Sequence, residues 1–173
     1  VNKKRLTAFV KMIYKDDDRP ALCNALIDRV MGRTCLVASN GVIMAIVWMD
    51  GLDDYVGKQI SRIDLEAKAR AMGGRVADVL TVFDIEELVN VGRKVDTEYP
   101  NYMSIISPYL DGEPVGQPRM RFNAEFFKQV QDLDGDKFLV VDLYGEQKPM
   151  VFKSERGIYI VMPMTLKKPG QAS

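Results

Sequence analysis

The sequence predicts an α+β fold in which one unit, a helix followed by an antiparallel three-stranded meander, occurs twice. Three observations carry this expectation. Residues 4–49 open with an amphipathic helical stretch and continue as three strand-like apolar segments. Residues 123–162 repeat that order. Turn chemistry separates the strands in both halves: Ser39-Asn40-Gly41 in the first, residues 144–148 and 154–156 in the second. The halves share architecture and little sequence.

Leu6, Phe9, Val10 and Ile13 fall at i, i+3, i+4 and i+7, on one face of the first helix, with Lys4, Lys11 and Lys15 largely off it. After Asp16, Asp17 and Asp18, the Arg19-Pro20 pair opens an extended region over residues 21–30, a turn at Met31-Gly32-Arg33, and a second strand over 34–38. Residues 42–49 form the third. Residues 50–57 read as a surface loop. Ser61 with Asp64 is a capping pattern, and Leu65, Ala69 and Met72 carry an apolar stripe to a Gly73-Gly74 stop. Residues 79–83 read as a strand, and Asp84 with Glu87 as the cap of a short helix through Val91; residues 86–95 fit a strand equally well. Three prolines and two glycines make residues 107–118 a connector after the turn Tyr99-Pro100-Asn101-Tyr102. Residues 119–122 make a short strand and Asn123 an N-cap. Phe126, Phe127, Val130 and Leu133 then line one face of a third helix, followed by strands at 137–143, 149–153 and 157–162.

At 173 residues, 47% hydrophobic and 28% charged, the chain is sized for one well-buried globular domain, or one and a part. No apolar run approaches the roughly 20 residues of a membrane span, and no signal-peptide pattern precedes the fold, so a cytoplasmic protein is expected. Lys+Arg and Asp+Glu are 24 each, so attraction to nucleic acid has to come from segregated charge. Residues 1–15 hold Lys3, Lys4, Arg5, Lys11 and Lys15 with no acid, which suits a solvated helix face as well as a phosphate-binding one. With no histidine and only Cys23 and Cys35, the usual Cys/His zinc sites and Ser-His or Cys-His catalysis are excluded. The acids at 16–18 and at Asp132, Asp134 and Asp136 read as solvated turn residues. No phosphate-cradling glycine loop is present, so no cofactor is expected.

The last apolar stretch, Gly157 to Leu166, admits two readings. Pro163 cannot donate a ladder hydrogen bond, so it belongs at a strand end or sheet edge and leaves Met162, Met164 and Leu166 near a surface. They are either the frayed end of a core strand or an adaptable groove for a partner's peptide, since methionine repacks around varied ligands.

Several motifs resemble the bacterial sliding clamp, the β subunit of DNA polymerase III. Val161-Met162-Pro163-Met164-Thr165-Leu166 is similar to that family's terminal V-M-P-M-[RK]-L, and Phe122-Asn123-Ala124-Glu125-Phe126-Phe127 to its F-N-x-x-[YF]-[LF] helix start. Ala38-Ser39-Asn40-Gly41-Val42-Ile43-Met44-Ala45 resembles its A-T-D-G-H-R-L-A hairpin. Tyr99-Pro100-Asn101-Tyr102 through Ile106, with Pro108 displaced by one residue, resembles its linker. The motifs occur in family order over about residues 4–166.

The resemblance implies a DNA-clamp fold, with antiparallel sheets outside and paired helices facing a DNA channel. The family's chains carry three clamp domains, whereas this one has room for a single clamp-like domain over 1–173, with half-units at about 4–52 and 117–166 and the middle segment 53–116 as an insertion or a partial extra half-unit. By motif, a peptide-binding groove would comprise Gly41, Val42, Ile43, Met44, Pro108, Val161, Met162, Pro163, Met164 and Leu166. Val42-Ile43 stands where the family has His-Arg, and Thr165 where it has a basic residue, so the rim is less charged. Residues 167–173 extend past the family's usual end.

The expected function is a non-enzymatic polymerase processivity factor, reduced in size and virus-encoded. It would hold double-stranded DNA nonspecifically and recruit DNA polymerase or other replication proteins through short hydrophobic peptides. The cations expected on DNA are Lys3, Lys4, Arg5, Lys11, Lys15, Lys68, Arg70 and Arg75. A ring requires several copies, hence a homo-oligomer. The alternative keeps the fold without DNA: a non-ring module that binds or sequesters clamp-binding peptides.

Overall fold

The computed structural model describes residues 1–16, 18–73, 79–110, 112, 123–135, 140–145 and 147–163. Helix α1 (Lys3–Lys11) begins at Asn2, whose side chain accepts from the Arg5 amide, and buries Leu6, Phe9 and Val10. Strands β1 (Asn24–Val30), β2 (Arg33–Ser39) and β3 (Ile43–Trp48) form the expected first meander. A short 3-10 turn, Pro20–Leu22, takes up the start of the region expected to be extended, because proline's fixed φ suits a first helical position.

A three-residue strand, β4 (Gln59–Ser61), pairs antiparallel with β1. It is too short for alternation to mark it, and it follows directly on the expected loop. Helix α2 (Arg62–Ala71) is capped by Ser61, whose Oγ accepts from the Asp64 amide at 3.1 Å. Residues 79–83 do not form the expected strand. Val79 makes one isolated bridge to Asn2, and helix α3 (Val82–Val91) starts at once. Thr81 and Asp84 decide this, since each side chain accepts the other's backbone N–H in a closed capping box. Residues 107–110 are likewise helical, the end of α4 (Met103–Leu110). Pro108 is exposed in its last turn, so its missing donor falls where water can serve the free carbonyl, and the buried Ile106 and Leu110 hold the helix down.

Helix α5 (Glu125–Asp134) and strands β5 (Val140–Leu143), β6 (Met150–Ser154) and β7 (Gly157–Val161) make the second unit. Asn123 accepts from the Glu125 amide at 3.0 Å. Asp132 and Asp134 lie in this helix and not in a turn. The strand expected at 119–122, and Asp136, lie outside the described residues.

The seven strands form one antiparallel sheet in the order β4-β1-β2-β3-β7-β6-β5, the meanders meeting where β3 pairs with β7. Alternation along the strands feeds two cores. Leu36, Ala38, Tyr159 and Val161 face α1, α2, α3 and α5, whereas Cys35, Val37, Ile158 and Ile160 face Tyr99, Tyr102 and α4. With both faces covered, the strands read as almost unbroken apolar runs.

Candidate functional site: an apolar cleft and a basic helix layer

On the α4 side of the sheet lies a cleft of about 210 Å³, lined by Leu22, the β2–β3 hairpin, Tyr99, Pro100, Tyr102, Ile105, Ile106, Ile160 and Met162. The hairpin is built by its own side chains. Asn40 Oδ1 accepts from the amides of Val42 at 3.0 Å and Ile43 at 2.9 Å, and Ser39 Oγ accepts from Gly41 at 3.1 Å. Gly41 takes a φ of 85°, and a Cβ there would come within 2.9 Å of Arg19 Nη1. The Met162 amide donates to the Val42 carbonyl at 3.0 Å, which fastens the end of β7 to this turn.

The opposite wall is residues 99–106. Tyr102 donates its hydroxyl to Asp28 Oδ2 at 2.6 Å, and its ring meets Tyr99 edge-on at 6.1 Å between centroids. Asn24 Nδ2 donates to Thr97 Oγ1 at 3.3 Å just upstream. At the far end of α4, Lys153 Nζ donates to the Leu110 carbonyl at 3.1 Å and Tyr144 to the Tyr109 carbonyl at 2.8 Å. The wall is thus tied to the sheet at several points along its length.

The phenols of Tyr99, Tyr102 and Tyr159 are all held above their ordinary value of 10.0, by burial first and, for Tyr102 and Tyr159, by the carboxylates of Asp28 and Asp134 as well. A raised folded value means that the stabilisation is complete below pH 10 and drains away as pH rises toward the folded value. The urea midpoint should therefore fall above pH 10, and fall less steeply in Tyr102→Phe; equal slopes would count against this account.

The structure brings five of the ten nominated groove residues together: Gly41, Val42, Ile43, Met44 and Met162 line the cleft. Val161 is buried in the core on the helix side, because side chains alternate along β7 and it faces away from Ile160. Pro108 is exposed on α4 outside the lining, and Pro163 is half-buried and also outside it. Met164 and Leu166 lie outside the described residues. The nominated set left out Leu22, Ser39, Tyr99, Pro100, Tyr102, Ile105, Ile106 and Ile160, of which all but Leu22 and Ile160 stand within the matched motifs. The aromatics around Pro100 were the signal that could have found them.

On the other face, α1 packs between α2 and α5, and the nominated cations divide by what they touch. Lys3 Nζ donates to the Met72 carbonyl at 2.7 Å, and Arg5 Nε to the Leu133 carbonyl at 2.6 Å, so both act partly as struts between helices. Lys68 pairs with Asp84 of α3. Burial works against the Asp84 carboxylate, yet Lys68 and the Thr81 donors hold it below its ordinary range. Arg70 pairs with Glu66 at 3.2 Å, and Lys4 with Asp132 at 2.8 Å. Lys11 and Lys15 are exposed and have no ion-pair partner among the described residues. Arg75 lies outside the described residues. Lys3, Thr7 and Lys11 border the clefts on both sides of α1, with Arg70 on one side and Lys4 and Asp132 on the other. Among the described residues, no acid or cysteine cluster could hold a metal ion, and no helix is long and apolar enough to cross a membrane.

No protein-family model matches the sequence, and no curated protein does. Solved structures do. A putative DNA polymerase III β subunit from Eubacterium rectale superposes with a TM-score of 0.67 at 10% identity, covering 94% of this chain and 62% of its own. The DNA polymerase III β subunit of Thermotoga maritima gives 0.59 at 12%, over 95% of this chain and 63% of its own. The Helicobacter pylori β clamp, bound to a DNA ligase peptide, gives 0.62 at 10%, over 95% and 63%. The fold is that of the bacterial sliding clamp, and the chain spans under two thirds of these structures' length.

Proposed function

We propose that this clamp-fold chain is a DNA polymerase processivity factor that recruits replication proteins by seating a short apolar peptide of theirs in the cleft between the β2–β3 hairpin and residues 99–106. The cleft carries the reading: an apolar concavity on one face of the sheet, lined by side chains already exposed, namely Val42 at 44%, Ile105 at 55% and Met162 at 37%. The peptide-bound clamp with the same fold supports it by analogy of fold. The chain catalyses nothing in this role, and several copies would be needed to surround a duplex.

The opposite, helical face supplies the contact to double-stranded DNA. Lys4, Lys11 and Arg70 present charge to solvent there, and phosphate contact through such side chains is nonspecific and salt-sensitive. Reversing these charges should flatten the dependence of DNA affinity on salt by about one unit of log–log slope for each phosphate no longer neutralised. Fluorescence anisotropy on a short duplex over a salt series measures it, and an unchanged slope would remove DNA from the proposal.

One observation favours a second reading, a non-ring module that binds the same peptides without DNA. Lys3, Arg5 and Lys68 are engaged by protein groups, and the formal net charge is zero. Peptide binding with no salt-dependent DNA association would select it.

A further inference from the structure

We infer that the groove between α2 and α3 is a second docking surface, separate from the cleft, whose occupant is a basic amphipathic helix of another protein. The two helices run antiparallel: the Arg93 amide donates to Asp64 Oδ2 at 2.7 Å at one end, and Lys68 pairs with Asp84 toward the other. Between them lies a groove of about 330 Å³, bordered by Ala67 and Ala71 of α2 and by Glu87 and Val91 of α3. Phe83, Glu87 and Val91 stand at i, i+4 and i+8, so they form one strip along α3. Phe83 is 80% exposed and Val91 79%, and Ile63, one turn before Ala67 on the facing helix, is 53% exposed. On its inner side α3 buries Ile85 in the core, with Leu88 and Val89 packed against it. A helix apolar on opposite sides has the pattern of one covered on both.

Charge on the strip selects the occupant. Helix α3 carries Asp84, Glu86 and Glu87 and no cation, which turns phosphate away. Lys68 and the Thr81 cap hold Asp84, and Tyr55 donates to Glu86, but Glu87 has no partner among the described residues. That carboxylate stands between the two exposed apolar side chains. A second copy of the chain fits poorly. Antiparallel pairing of α3 with itself matches Phe83 to Val91 and brings the two Glu87 carboxylates together at the two-fold axis. Helix α1 of a copy fits no better, since it exposes Lys4 and Lys11 but buries Leu6, Phe9 and Val10. What fits is a helix with apolar side chains two turns apart, spanning the roughly 12 Å from Phe83 to Val91, and a lysine or arginine between them to meet Glu87.

The test uses the full chain and two synthetic alanine-rich helices of about sixteen residues with leucines two turns apart, one with lysines between the leucines and the other with glutamates. By fluorescence anisotropy at low salt, wild type should bind the lysine helix about fivefold more tightly than the glutamate helix. Glu87→Lys should reverse that order. Phe83→Ser should weaken the lysine helix at least about tenfold, with its thermal midpoint within about 1 °C of wild type because the side chain is exposed. Ile105→Asp, which blocks the cleft, should bind as wild type does. Binding of neither helix by wild type overturns the inference, as does equal binding of both. A wild-type order kept in Glu87→Lys overturns it too, and so does loss of binding in Ile105→Asp, since the helix would then occupy the cleft. A dimeric mass by light scattering that Phe83→Ser returns to monomer also overturns it, by showing that a second copy covers the groove.

Discussion

Replacing Asp134 with alanine is expected to cost the fold about 3 kcal/mol, read as a lower urea midpoint with an unchanged slope. Asp134 is fully buried at the end of α5. Its Oδ1 accepts from Ser154 and from the Tyr159 hydroxyl at 2.9 Å, while Arg156 Nη1 lies 3.8 Å from Oδ2 and donates to the Asp134 carbonyl at 3.3 Å. One side chain therefore joins α5 to both strands of the β6–β7 hairpin. Alanine would leave the Tyr159 hydroxyl buried without its acceptor, and that desolvation, more than the missing bonds, sets the size of the effect. Asp134→Asn keeps an acceptor at that position and should lose about half as much. A loss below about 1 kcal/mol for alanine would mean that the cluster is bridged by water and is not held by the carboxylate.

Changing both Ile105 and Met162 to aspartate is expected to lower affinity for an apolar peptide by at least about a hundredfold, with the thermal midpoint nearly unchanged. Both side chains line the cleft from opposite walls and both are partly exposed in the free protein, so charge there is solvated until a ligand covers it. Covering two carboxylates with apolar side chains forfeits the apolar packing and adds their desolvation. Titration calorimetry with a library-derived peptide checks this against wild type. Retained binding would place the peptide elsewhere on the molecule, and the proposed recruitment would lose its site. The fall should be the same at low and high salt, because no ion pair with the peptide is being removed.

The two halves of the site were legible to different degrees. The hairpin was readable because Ser39, Asn40 and Gly41 fix their own turn through side-chain and φ requirements that span a few residues. Met162 was readable because Pro163 ends the strand beside it. Tyr99, Tyr102 and Ile106 carried a turn signal and a linker resemblance but no sign of burial, since their burial comes from strands more than forty residues away in sequence. The α4 helix was hidden for the same reason: its proline argues for a connector, and packing of Ile106 and Leu110 on the sheet overrules it. Val161 was misplaced by motif adjacency, where alternation along an ordinary strand assigns it to the opposite face from Met162.

The sequence by itself determined the periodic elements, the cap at Ser61, the order of helix and meander in each half, and the position of the β2–β3 turn. All of these are settled by interactions within a few residues, where spacing and side-chain chemistry act directly. Only the tertiary structure decided that β3 pairs with β7 to merge the meanders into one sheet, and that residues 99–110 cover its second face and complete the cleft. It also decided which cations face solvent and which brace one helix against another. Those outcomes depend on surfaces meeting across long stretches of chain, and a residue's local pattern is the same whichever partner it finds.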